Sequence, residues 1–455
     1  MTSAFSRLRE KAGDEGLRAR RRERADDMTE LNRLDAHDAV ARLQRREITA
    51  VELLRACLER IAAREAEVRA FVRIDADAAL AQARALDAGP IRGPLHGLPL
   101  GVKDLLDTAD LPTAYGTPLY ARHQPAADAA AVALCREAGA VIVGKTVTTE
   151  LAYFTPGPTR NPLALAYTPG GSSSGSAAAV ADAMLPLALG TQTAGSIIRP
   201  AAYCGIVGFK PSWGRVPRTG LKGLSDSLDT IGGFARSVRD AALLAGVLTS
   251  DTRLARCAED AVAAPRIGWC RTPWWGAADA DAQSAFADAQ AALAPRAVAS
   301  ADLDLPDGFD TLVDLQKSVM AWEMARSLSH ERLRHRDGLS AKLCALIDEG
   351  LAIDGTRHAC NLATLAAWRA RTDALFGDCD VIVAPSTTGE APAGLEATGD
   401  PLFCRAWTAL GLPCVHLPFA RGAHGLPVGV QLVGRIGDDH RLLAFARWTH
   451  ERLRG

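Results

Sequence analysis

Only 5% of the 455 residues are aromatic. A core of this size must therefore be built mainly from Ala, Val and Leu, within a hydrophobic content of 48%. Charge of one sign is also missing. Lys and Arg number 52 against 53 Asp and Glu, a net charge of -1, which leaves no electrostatic footprint for nucleic acid or an anionic membrane. Long clean apolar runs are absent. The best candidate, residues 177–208, is broken by Asp182, Gln192 and Arg199 and does not read as a membrane span. No apolar stretch of the secretory type opens the chain, so a cytoplasmic setting is expected. The ten cysteines show no CxxC spacing, and no HExxH or similar histidine cluster occurs. Free thiols are expected rather than disulfides or a zinc site, and neither metal nor cofactor is implied.

What is present is an alternation of helix and strand signals. Residues 1–27 carry mixed charges with an Arg-rich knot at Arg20 to Arg24, and read as a charged N-terminal extension. Periodic sequence begins at Met28, and residues 28–455 are expected to form one large domain. Asp35 is a candidate helix cap, and Thr49 with Glu52 forms a capping-box pattern ahead of Val51, Leu53, Leu54, Cys57 and Ile61. Short apolar runs at 70–74, 98–104, 140–146, 185–191, 265–269, 380–385 and 428–434 read as strands, with helical segments between them. That pattern predicts an α/β fold with a mixed, mostly buried sheet covered by helices on both faces. Residues 291–310, rich in Ala, Pro and Asp, read as a loop or insertion, and the segment beyond them as helix.

The densest local signal is TPGGSSSGS, residues 168–176, with four serines and three glycines. A phosphate-cradling loop would need Lys-Ser/Thr after its glycines, and Gly175 is followed instead by Ser176 and Ala177. A nucleophile elbow is closer, since residues 171–175 satisfy GxSxG with Ser173 at the centre. An elbow must follow a strand, however, and the preceding segment carries Pro162 and Pro169. His416, His424 and His440 are the histidines such an elbow would draw on. The third reading is one half of a split hydroxyl relay, completed by Lys103 in LPLGVKD and Ser196 at a small-residue turn.

GVKD, TPGGSSSGSAAA and GTQTAGSIIRPAAYCGIVGFKPS, taken in this order and spacing, resemble the hallmark blocks of the amidase signature family. DVIVAP and GLPVGVQLVG extend the similarity over nearly everything after Met28. The resemblance implies a Ser-cisSer-Lys triad, with Ser196 as nucleophile, Ser172 as bridging serine after a cis peptide, and Lys103 as base. Chemistry accounts for these residue types. A serine hydroxyl attacks only when a neighbour takes its proton, and lysine can do so only as the neutral amine, which burial favours. A hydroxyl between them can donate and accept at once. The N–H groups of Thr193, Ala194, Gly195 and Ser196 are candidates for an oxyanion hole. Many members of the family have Gly at the position of Ala194.

Supporting roles follow. Ser173 is expected to orient Lys103 or Ser172, and Asp104 to form a salt bridge. Tyr153 and Phe154 are candidates for an acyl pocket, and Trp213, Trp322 and Trp407 for a leaving-group site. Arg199 lies three residues after Ser196, where many relatives place an arginine two after. It is expected to stiffen the loop in a buried pair or to meet a substrate carboxylate. The expected reaction is hydrolysis of an amide, anilide, carbamate (urethane) or ester through a seryl acyl-enzyme, on a small molecule, by a monomer or homodimer. Two alternatives stand beside it: the amidase subunit of a tRNA-dependent amidotransferase, and an esterase using Ser173.

Overall fold

Strongly apolar runs flanked by glycine and proline become the inner strands of one mixed eleven-stranded sheet in the computed structural model, which describes residues 30–256 and 262–454. The expected extension, residues 1–27, lies outside these residues, as does Cys257. The strands are β1 (Phe71–Ile74), β2 (Pro99–Lys103), β3 (Val141–Thr146), β4 (Leu187–Gln192), β5 (Val207–Lys210), β6 (Thr230–Ala235), β7 (Arg266–Trp269), β8 (Ala299–Asp302), β9 (Val381–Pro385), β10 (Cys414–Arg421) and β11 (Pro427–Val433). Their spatial order is β1-β3-β2-β4-β6-β5-β10-β11-β9-β7-β8. Pairing is parallel for β3/β2/β4 and for β9/β7/β8, and antiparallel elsewhere. Every residue of β2, β3, β4, β5, β6, β9 and β11 is buried, as expected of strands covered on both faces. The edge strands β1 and β8 instead leave all of their residues at least partly exposed.

All seven strand expectations fall on strands of the sheet. β5, β6, β8 and β10 were not anticipated. β5 and β6 are short and glycine-bearing, so they carry little of the period-2 signal. The segment read as loop, 291–310, contains β8 as an exposed edge strand beside β7; having few apolar residues, it left no strand signal. The capping box at Thr49 and Glu52 is formed, and Asp35 does precede a helix, although its side chain makes no capping bond. The helical segment after residue 310 is realised as Leu312–Ser327 and Ser329–Arg334. No helix among the described residues is long and apolar enough to cross a membrane.

The topology gathers the three candidate residues near the ends of β2 and β4, the third and fourth strands of the sheet. Lys103 ends β2, and the turn after β4 carries Ser196, on a strand directly beside β2. The glycine-serine loop runs into the helix Ser174–Ala181, which packs on the same strands.

Candidate active site

Lys103 is fully buried, and its amine has two partners, both hydroxyls: Ser172 Oγ at 2.7 Å and Thr191 Oγ1 at 2.7 Å. Desolvation holds its pKa well below the ordinary 10.5, while the carboxylate of Asp229 acts in the opposite direction. A lysine in this setting is suited to the uncharged form.

The Gly171–Ser172 peptide is cis. Gly170 before it has φ +80°, and a Cβ there would meet Pro200 Cα at 2.8 Å, so the loop closes against the start of the helix Ile198–Cys204 only with glycine at this place. Ser172 and Ser196 line one cavity together with Ala152, Tyr153, Phe154, Thr193, Ala194, Arg199, Leu224, Met320 and Thr398. Ser172 thus touches Lys103 on one side and faces the Ser196 cavity on the other. No hydrogen bond joins the two serine hydroxyls to each other among the described residues. The free volume of the cavity is about 10 Å³, at the threshold for a single water.

The turn around Ser196 is held by its carbonyls and side chains, leaving its N–H groups free. Thr193 O accepts from Gln316 Nε2 at 3.0 Å, and Ala194 O accepts from Thr408 Oγ1 at 2.7 Å. Thr193 Oγ1 donates to Asp229 Oδ1 at 2.5 Å. Gln192 Oε1 accepts from both Ile197 N and Ile198 N, at 2.9 and 3.0 Å. The N–H groups of Thr193, Ala194, Gly195 and Ser196 make no hydrogen bond to another described residue. Ala194 is not among the residues with positive φ, so its methyl group sits on an ordinary backbone.

Other expectations are adjusted by the geometry. Ser173 does not reach Lys103 or Ser172. Its hydroxyl donates to Thr191 O at 3.2 Å and accepts from Thr191 N at 3.3 Å, so it braces the residue that contacts the lysine. Arg199 forms no buried ion pair with a described residue. Its two Nη atoms donate to the carbonyls of Gly399 (2.6 Å) and Gly171 (2.7 Å), stiffening the loop through main chain. Tyr153 and Phe154 line the cavity with rings 4.9 Å apart, edge to face. Trp213, Trp322 and Trp407 do not line it: Trp322 stacks on His358 at 3.6 Å, Trp407 lies in the core near Phe309, and Trp213 sits under Arg369. Asp104 is a salt-bridge residue, 3.7 Å from Lys145 Nζ. Burial raises its pKa to about 6 and lowers that of Lys145 to about 8.

The elbow alternative finds no partner for Ser173. His416 is fully buried against Ser386, His424 is held by Glu390, and His440 pairs with Asp438. Nor does a strand lead directly into Ser173. Sequence reasoning missed Thr191, Gln192, Asp229, Gln316 and Thr408. The first two lie inside the quoted block, but the others act from up to 216 positions away and carry no local motif.

Comparison with known proteins gives a consistent picture. The family model described as Amidase matches residues 52–443. A glutamyl-tRNA(Gln) amidotransferase subunit from Roseiflexus sp. (strain RS-1) is 37% identical over 469 residues, covering 91% of this chain and 96% of that one. A crystal structure described as an amidase superposes with TM-score 0.84 at 32% identity, over 92% of this chain and 100% of that one. The peptide amidase from Stenotrophomonas maltophilia does so with TM-score 0.77 at 27% identity, over 92% and 97%.

Proposed function

The chain belongs to the amidase family, and from that premise we propose that it cleaves the C–N bond of a carboxamide through an acyl-enzyme on Ser196. Lys103, as the neutral amine, draws the proton of Ser196 through the hydroxyl of Ser172, and Ser196 Oγ bonds to the carbonyl carbon. The oxyanion is met by the free N–H groups of residues 193–196. Collapse of the tetrahedral intermediate expels the amine, which takes back the proton through Ser172. Water, deprotonated along the same path, then releases the acid. The observation that supports this most is the buried Lys103 amine 2.7 Å from Ser172 Oγ, in a cavity wall that Ser196 shares. The missing contact between the two serines is expected to form on substrate binding, since catalytic hydrogen bonds are often long before it. Tyr153, Phe154 and Arg199 are the proposed substrate-facing residues, and carbamates, anilides and esters share the same tetrahedral geometry. A panel of these substrates on wild type and Ser196→Ala tests the reading. Turnover surviving in Ser196→Ala, or a fluorophosphonate adduct mapping to Ser173, would refute it.

A second reading makes the chain the amidase component of a glutamyl-tRNA(Gln) amidotransferase, where the expelled ammonia passes to an acceptor on a partner. The name of the Roseiflexus relative, matched over almost the full length of both chains, favours this reading over free hydrolysis. That reverses the order taken from the sequence. Rapid turnover of small amides by the purified chain, without partner or ATP, would argue against the second reading.

A further inference from the structure

A second cavity, of about 350 Å³, shares no residue with the one that holds Ser172 and Ser196. Two of its walls are the far ends of helices that begin beside those serines. The helix Ser174–Ala181 starts two residues after Ser172 and reaches the cavity with Ala181. The helix Ile198–Cys204 starts two residues after Ser196 and reaches it with Cys204. Helices of this length span about 10–12 Å, so a molecule held here is out of reach of Ser196. β10, the start of β11 and the last turns of the helix Asp439–Arg454 close the other side.

Charge around this cavity is of one sign. No carboxylate lines it, whereas Arg236, Arg421 and Arg454 do. Arg236 is engaged: it donates to the carbonyls of Leu185, at 3.0 Å, and Leu34, and its Nε stands 3.9 Å from Asp35. The other two have no counter-charge. The Arg421 guanidinium donates only to Gly425 O, at 2.6 Å, and Arg454 makes no side-chain hydrogen bond or ion pair with a described residue. His450 adds no charge at neutral pH, because burial, with Arg454 nearby, lowers its pKa to about 4. The surface between these groups is apolar. Leu163, a large hydrophobic side chain left 46% exposed, lines it together with Ile206, Phe419 and Pro427. Exposed apolar surface and unpaired guanidiniums in one cavity are complementary to a molecule that is apolar at one end and anionic at the other. We propose that this cavity binds a small amphipathic organic anion, of which an aromatic carboxylate is the simplest form. Its charged group meets Arg421 and Arg454, and its ring lies against Leu163 and Phe419. The volume falls within the usual range of small-ligand sites, about 300–1,000 Å³. The proposal does not depend on the reaction assigned to Ser196.

The probe is 2-naphthoate, titrated calorimetrically into the full chain beside its neutral counterpart 2-naphthylmethanol, before and after treatment with a fluorophosphonate. Wild type is expected to bind the carboxylate about 10-fold or more tightly than the alcohol, and equally well after treatment. Arg421→Ser combined with Arg454→Ser should weaken the carboxylate about 30-fold, the scale of losing a hydrogen bond to a charged group. The alcohol's affinity and amide turnover should stay at their wild-type values. Leu163→Asn should weaken both ligands. Carboxylate binding that the double variant keeps, or that the fluorophosphonate abolishes, would place the ligand elsewhere and overturn the proposal. So would a wild type that takes both probes equally or neither. Both arginines are exposed, and circular dichroism checks that the double variant folds. Should it not, Arg454→Ser alone, at a side chain with no described partner, should still weaken the carboxylate about 10-fold, and unchanged affinity there overturns the proposal.

Discussion

Replacing Lys103 with methionine keeps an unbranched chain of similar length and removes the amine. If that amine is uncharged in the folded protein at pH 7, folding has driven a proton off a group that holds it up to about 10.5 when exposed. The unfolded chain then binds one more proton than the folded one at every pH between the depressed folded value and the ordinary lysine range. Wild-type stability should therefore rise with pH across that window, by about 1.4 kcal/mol per unit from this group alone. Lys103→Met has no such slope. Two other terms accompany the substitution: loss of the bonds to Ser172 and Thr191, about 1 kcal/mol each, and the desolvated hydroxyls left behind. Neither depends on pH, so they offset the curve without tilting it. The stability difference between variant and wild type should accordingly move in favour of wild type by about 2.7 kcal/mol from pH 7 to pH 9. Reversible urea unfolding at pH 7, 8 and 9 measures it. Parallel stability curves would mean that Lys103 keeps its proton in the fold, and the base assigned to it could not exist at neutral pH. The acid limb of the kcat/KM profile should lie correspondingly below the usual lysine range.

Three further substitutions probe the surroundings. Thr191→Val removes one of the two hydroxyls on the amine and should lower kcat/KM about 5- to 10-fold with an unchanged circular dichroism spectrum; wild-type activity would show that Ser172 alone positions Lys103. Asp104→Asn strips Lys145 of its buried counter-charge and should destabilise the protein by about 3–5 kcal/mol at pH 7 in urea unfolding, against little change if Lys145 rests on its hydroxyl and carbonyl partners. Burial lowers His416 to about 3 and His450 to about 4. Each is neutral in the fold while its unfolded counterpart takes a proton below about 6.5, so stability should fall by about 1.4 kcal/mol per pH unit per histidine on acidification. His416→Gln should flatten the curve by one proton between pH 6 and pH 5, and an unchanged slope would refute the assignment.

The division between what the sequence disclosed and what it withheld has a physical basis. Lys103, Ser172 and Ser196 were legible because each stands in a short block whose composition is fixed by local demands: an apolar strand around the lysine, glycines where the loop closes on Pro200, small residues at the turn after β4. The inner strands were legible for a similar reason, since burial on both faces leaves an uninterrupted apolar run. The braces on the turn around Ser196 were not. Gln316, Thr408 and Arg405 sit on helices more than a hundred positions later, and each is a single polar residue in a stretch whose pattern records only packing. Arg199 shows the same limit from the other side. Its place after Ser196 was plain, but its partners, Gly171 and Gly399, are carbonyls that any sequence would supply.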